Sequence, residues 1–334
     1  MSLRTASVLT TWRQNAFLAG LLLVRAQARG YNSGMPSMPK ESRRTEQRNA
    51  ASKNLDRMTA MQIVRLMNRE DRKVAAAVGR ALPAIARAVD AIVKAIRNGG
   101  RLLYVGAGSS GRMAVLDAAE CPPTFGTSPK LVQALIAGGR PAVTGAVEGA
   151  EDSSANAERD LHAKKLTRRD VVVGITASGT TPYVLAALQR ARRRGATTVA
   201  ITVNPHTPVA RLAKILIATA VGPEVLTGST RLKAGTSQKM VLNMLSTAAM
   251  ARLGHVYENL MIDVKPSNQK VSARIQRILA EASGKSLSAA ERVLRQARHN
   301  MRVALVMLKL GVDVRSAKKK LAAAKGNLYE ALGE

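Results

Sequence analysis

From Leu55 onward, apolar residues recur at three- and four-residue intervals through MTAMQIVRLMNRED and again through KVAAAVGRALPAIARAVDAIVKAIRNGG, which closes at Gly99-Gly100. That spacing predicts two helices. RLLYV, Arg101 to Val105, is a short apolar run bounded by glycines and predicts a strand, followed by the tight loop GAGSSGR and the helical pattern MAVLDAAE. Pro122-Pro123 predict that this helix ends at Glu120. The alternation continues through LVQALIAG, AVTGAVEGAEDS, VVVGITA, YVLAALQRARRRG, TTVAIT and KILIATA. Apolar strands alternating with helices predict an α/β fold, a mostly parallel sheet with helices on both faces.

Past Gly284, the strings SLSAAERVLRQA, NMRVALVMLKLG and VRSAKKK, then NLYEALGE, have amphipathic spacing and predict a compact three-helix module with Met301 and Met307 in its core. The beginning of the chain differs, with several arginines and no acid before Glu41. Its apolar run, Ala16 to Val24, is too short to span a bilayer. A signal peptide cut near AQA, an organellar presequence and a dispensable arm all fit this composition. The expected division is a basic extension over 1–44, a main domain over 45–283 and the helical module over 284–334.

Charge narrows the partners. Lys and Arg number 52 against 22 Asp and Glu, a formal +30 that favours anionic ligands, whether phosphorylated metabolites, nucleic acid or a membrane surface. Aromatic residues make up only 2% of the chain, which argues against the stacking platforms of single-strand nucleic-acid binders. Neither a nucleic-acid nor a membrane partner is expected. The single cysteine, Cys121, excludes an intramolecular disulfide framework and points to a reducing compartment, the cytoplasm.

GAGSSG fits the glycine pattern of a dinucleotide loop, but LVQALIAGGR ends in glycines and Arg140 where an acid should hold the ribose, leaving only an NADP version. Internal repetition is the stronger signal. RLLYVGAGSSGRMAVLDAA and DVVVGITASGTTPYVLAALQRA both run strand, hydroxyl-bearing loop, helix, so Ser109, Ser110 and Gly111 in one loop correspond to Ser178, Thr180 and Thr181 in the other. Both loops project from the carboxyl ends of parallel strands, where backbone N–H groups and hydroxyls hold a phosphate without a metal. The alternative is that these hydroxyls only cap helices. No P-loop lysine follows either loop, which disfavours nucleotide hydrolysis. A third cluster, TGSTRLKAGTSQK, offers Ser229, Arg231 and Lys233 at a helix entrance, suited to a phosphate or carboxylate or else to a cap beside a solvated basic face. Glu120 and the acids of VEGAEDS, Glu148, Glu151 and Asp152, provide two carboxyl groups for general acid and base work; acids at turns are the plainer reading.

GAGSSGRMAVLDAAECPPTFG, LIAGG, AVEGAEDS, DVVVGITASGTTPYV and VGPEVLTGSTRLKAGTSQKMVLNMLST together resemble the N-acetylmuramic acid 6-phosphate etherase family of sugar isomerase (SIS) domain enzymes. The likeness runs from TEQRNAAS at Thr45 to the end of the chain. It implies an SIS-type sheet, a homodimer, no metal or organic cofactor, and cleavage of the D-lactyl ether of N-acetylmuramic acid 6-phosphate to N-acetylglucosamine 6-phosphate and D-lactate. The family's two glutamates fall on Glu120 and Glu151, with Glu120 assigned as the acid toward lactate and Glu151 as the C2 base, or the two roles exchanged. The resemblance places the 6-phosphate at Ser109, Ser110, Ser178 and Thr181, and charge complementarity sets Arg231 or Lys233 against the lactyl carboxylate. The chain departs from the family pattern at Ser109, where GAGTSGR is usual, and at Thr180, where ASGRTPY carries an arginine. A non-enzymatic sugar-phosphate sensor, similar to glucokinase regulatory protein around TGSTRLKAGT, and a sugar phosphate isomerase are the other readings. A single SIS unit and the paired glutamates weigh toward the etherase.

Overall fold

The computed structural model describes residues 45–264 and 269–334, so the basic extension expected over 1–44 lies outside the described residues. Helix α1 (Ala60–Gly79) starts at Thr59, whose hydroxyl accepts from Gln62 N–H while the Gln62 side chain accepts from Thr59 N–H. Helix α2 (Leu82–Arg97) follows after a break at Arg80-Ala81, later than the sequence strings suggested. Pro83 explains the position: it lacks an N–H and is accommodated only in the first turn of a new helix.

The main alternation is β1 (Leu102–Gly106), α3 (Gly108–Phe125), β2 (Val132–Ile136), α4 (Pro141–Thr144), α5 (Ser154–Ala163), β3 (Val171–Ile175), α6 (Pro182–Arg193), β4 (Thr197–Thr202), α7 (Pro208–Leu212), β5 (Ile215–Ala218) and α8 (Lys233–Arg252). The five strands are all parallel in the order β2-β1-β3-β4-β5, with Tyr104 in register with Ala134 on one side and Val173 on the other. The expected doubly covered parallel sheet is present. Successive strand residues alternate between its faces: Leu102, Tyr104, Val171 and Val173 pack under α1, α2, α3 and α8, while Leu103, Val105 and Val172 pack under α5 and α6. Because the strand order reverses between β1 and β3, their carboxyl ends border a crevice of the kind in which open α/β sheets hold ligands.

Helix α3 does not stop at Glu120. It runs through Pro122 and Pro123 to Phe125 and ends at Gly126 (φ 63), whose N–H bonds the Pro122 carbonyl. The prolines remove only two N–H donors from the last turns, and buried Phe125 anchors that end against the core. A small antiparallel pair, β6 (Val256–Tyr257) and β7 (Leu260–Met261), comes next, then α9 (Gln269–Ser283), α10 (Leu287–Gln296), α11 (Met301–Leu310), α12 (Val314–Ala323) and α13 (Leu328–Leu332). Four helices therefore follow Gly284 where three were expected. The short NLYEALGE tail forms a helix of its own because Asn327 caps it, as Ser286, Asn300 and Asp313 cap the three before. Helix α9 shares their apolar cluster, in which Met301 and Met307 are buried as anticipated. Among the described residues no helix is long and apolar enough to cross a membrane.

Candidate active site

The two hydroxyl turns lie side by side at the carboxyl edge of neighbouring β1 and β3. The first is fixed by close packing. A Cβ on Gly111 would lie 2.5 Å from Ile136 Cγ1, and one on Gly106 would lie 2.8 Å from Gly111 N, so the start of α3 rests directly on the strand ends. Ser109 is half-buried and Ser110 buried, and neither hydroxyl has a hydrogen-bond partner among the described residues. Helix α3 has no side-chain cap at Ala107, so the capping alternative does not account for these serines.

The second turn is knitted through its own hydroxyls. Thr176 Oγ1 lies 2.8 Å from Thr181 Oγ1 and 3.3 Å from Ser178 Oγ, and it accepts from Gly179 N–H at 3.1 Å. Ser178 Oγ in turn accepts from Thr180 N–H at 3.2 Å and from Thr180 Oγ1 at 3.1 Å. Helix α6 likewise begins without a side-chain cap, behind Thr181 and Pro182. Thr180 is part of this neutral network.

The two glutamates occupy different places in one chain. Glu151 lies in a 3-10 turn (Ala150–Asp152) that packs on α6, the helix that follows the second hydroxyl turn. Glu120 is ten residues beyond Ser110 on α3, so the helical rise puts it about 15 Å away, toward the far end of the helix. Both are exposed, with no hydrogen bond or ion pair among the described residues. One protomer therefore does not bring Glu120 to its own hydroxyl turns. Glu148 and Asp152 are exposed beside Glu151.

The third cluster divides. Ser229 is half-buried and Arg231 exposed, both ahead of α8, and neither side chain has a partner among the described residues. Lys233 corrects the ligand reading. Its side chain is 1% exposed and its ammonium donates to Glu70 Oε2 at 2.7 Å, so its charge is committed within the protein. Lys73 donates to Glu70 Oε1 at 2.5 Å and Asn49 to Oε2 at 3.0 Å. Burial alone would raise the Glu70 pKa, but the bonds from Lys233, Lys73 and Asn49 outweigh it and hold the group at about 2. The backbone of Lys233 is used as well: Glu224, 1% exposed, accepts from the N–H groups of Lys233 and Ala234 and so caps α8. Asn49, Glu70, Lys73 and Lys233 border a cavity of about 430 Å³ between α1 and the turn after β5.

Glu70 and Glu224 were missed from the sequence, although Glu70 carried a signal. It sits four residues from Leu66 and four from Val74, on the apolar stripe of α1, where an acid requires a partner. Asp117 lies within the string MAVLDAAE. It is buried in the core, accepting from Tyr104 Oη at 2.9 Å and Ser246 Oγ at 3.0 Å, and burial raises its pKa against those bonds.

Sequence comparison identifies the family. Residues 84–192 match the glucokinase regulatory protein N-terminal SIS domain, and residues 149–248 match the SIS domain. N-acetylmuramic acid 6-phosphate etherase of Pectobacterium atrosepticum is 51% identical over 288 residues, 86% of this chain and 95% of that protein. The chain belongs to the N-acetylmuramic acid 6-phosphate etherase family. The family member from Serratia proteamaculans is 52% identical over 86% of this chain and 97% of its own length. Among solved structures, a phosphoheptose isomerase from Francisella tularensis aligns with a TM-score of 0.45 and 21% identity, over 57% of this chain and 98% of that one.

Proposed function

We propose that the chain cleaves the D-lactyl ether of N-acetylmuramic acid 6-phosphate, in a site that two protomers share: the hydroxyl turns and Glu151 of one, and Glu120 of its partner. The open-chain sugar has an aldehyde at C1, so the C2 proton is acidic and the lactyl oxygen on C3 is a β leaving group. Glu151 takes the C2 proton; the electrons form the C2–C3 double bond as the C3–O bond breaks. Glu120 protonates the departing lactate oxygen. Water then adds at C3 and C2 is reprotonated by the same pair working in reverse. The product is N-acetylglucosamine 6-phosphate.

The observation that carries this reading is the pair of uncapped helix starts with hydroxyls, side by side at the switch point of the sheet, in a chain about half identical to etherases over 86% of its length. Ser109, Ser110, Ser178, Thr180, Thr181 and the Gly111 backbone would receive the 6-phosphate, while Ser229 and exposed Arg231 face the lactyl carboxylate. The reach of α3 supports a shared site, because a hexose phosphate does not span about 15 Å of helix. The exposed Leu116, four residues before Glu120, gives that face of α3 an apolar neighbour suited to a homodimer contact. We assign the reaction to the cytoplasm, where the single buried cysteine stays reduced.

The match to the glucokinase regulatory protein domain favours the sensor reading, but that protein's likeness spans only 84–192. A mixing experiment tests the shared site. Glu120→Gln and Glu151→Gln variants should each be inactive, and after subunit exchange half the dimers are mixed, each with one intact site of two. About a quarter of wild-type lactate release should return. No recovery, with exchange demonstrated by mass spectrometry of tagged chains, refutes the arrangement.

A further inference from the structure

Arg112 follows the GAGSSG loop directly, yet neither the phosphate nor the acid–base chemistry uses it. Its guanidinium points to the segment between β2 and Glu151. Nε lies 3.1 Å from both the Ala142 and the Val143 carbonyl oxygens, and Nη2 lies 2.5 Å from the Gly145 carbonyl oxygen. Residues 138–149 otherwise bond only among themselves or to their neighbours in sequence, as in Gly139 N–H to Ile136 and Gly145 N–H to Pro141. Among the described residues, every hydrogen bond from this stretch to another element of the fold comes from Arg112. The stretch carries Gly138, Gly139, Gly145 and Gly149, three of them with positive φ, so its backbone has little stiffness of its own.

We propose that Arg112 is a positioning residue for the C2 base: it straps the Glu151 segment to the helix whose first turn carries Ser109 and Ser110. The proposal rests on the reading of Glu151 given above. Arg112 is two residues past Ser110 and adjacent to Gly111, which is wedged against Ile136 and Gly106, so its own backbone is among the least movable near the crevice. A planar guanidinium donates to several carbonyls at once from a fixed frame, which an ammonium does not reproduce. The base and the phosphate-binding turn thereby share one support: Arg112 supplies the hydrogen bonds that tie residues 142–145 to α3, beside the packing of the Ala150–Asp152 turn on α6.

The test uses the full chain with Arg112→Met and Arg112→Lys. For Arg112→Met, kcat for lactate release should fall on the order of 100-fold, the scale of a misplaced catalytic group, with KM changed by less than about threefold. Arg112→Lys should recover part of kcat, since one ammonium reaches one or two of the three carbonyls. Combining Arg112→Met with Glu151→Gln should lower the rate no further than Glu151→Gln alone. Amide hydrogen exchange supplies a readout independent of turnover: protection in 138–150 should drop about tenfold in Arg112→Met while the β1 and β3 strands stay protected. If KM rises and kcat does not change, Arg112 binds substrate instead and the proposal is wrong. Unchanged exchange in 138–150 also overturns it. Should the wild-type chain release no lactate, the functional reading fails, and the exchange result still decides whether Arg112 holds this segment.

Discussion

Removing Glu70 tests the buried charge network at its centre. Lys233 is 1% exposed and Glu70 4% exposed at their side chains, so Glu70→Leu strands an ammonium in the cavity beside α1. Breaking a buried pair from one side costs about 3–5 kcal/mol. Lys233→Met should cost less, about 1–3 kcal/mol, because Lys73 and Asn49 still hold the Glu70 carboxylate. The double variant Glu70→Leu/Lys233→Met leaves no buried unpaired charge, since Lys73 is exposed, and should recover most of the larger loss. The pH dependence gives a second handle. Glu70 moves from 4.5 to about 2 on folding, and a depression of that size corresponds to roughly 3 kcal/mol. A depressed acid contributes its stability above its unfolded value and loses it as pH falls toward the folded value, so the gap between wild type and Glu70→Leu should narrow between pH 4.5 and 2. Urea unfolding followed by circular dichroism, from pH 7 downward, measures both effects. Strictly additive single losses, or a gap that stays flat as the pH drops, would refute the reasoning.

Four further outcomes follow from other contacts. Gly111→Ala puts a methyl 2.5 Å from Ile136 Cγ1 and should reduce both stability, by about 1–3 kcal/mol in urea titration, and lactate release. Tyr104→Phe removes the donor to buried Asp117 and should destabilise by about 1–3 kcal/mol while leaving KM unchanged in steady-state assays. Cys121 is buried, and burial beside Asp117 and Glu120 pushes its thiol up to about 12, so a thiol reagent at pH 8 should label it only after unfolding; fast labelling of native protein contradicts this. Thr180→Arg adds a cation to a neutral hydroxyl turn and should lower KM for the sugar phosphate about tenfold if that turn faces the phosphate, as initial-rate measurements would show.

The alternating strands and helices were legible because each strand is a short, doubly buried apolar run, and the repeat of strand, hydroxyl turn and helix announced the two adjacent loops. The end of α3 was not legible. A proline pair reads as a stop, but near a helix terminus it removes few bonds, and Phe125 with Gly126 sets the true end. Lys233 misled for a related reason: a lysine among Ser, Thr and Arg at a helix entrance reads as a surface group, and only the meeting of α1 with α8 shows that Glu70 claims it. The four C-terminal helices were undercounted because the deciding features are single cap residues such as Asn327, whose effect is local and small beside the apolar pattern. Glu120 and Glu151 could be named from sequence, but the distance of Glu120 from the hydroxyl turn on its own helix could not, since it depends on how far α3 runs.

The most direct test of the account is to incubate the protein with N-acetylmuramic acid 6-phosphate in heavy-oxygen water and analyse both products by mass spectrometry. Elimination followed by hydration predicts D-lactate that keeps the original ether oxygen, and one heavy oxygen on C3 of N-acetylglucosamine 6-phosphate. Heavy oxygen in lactate with none at C3, or no lactate at all, would contradict it.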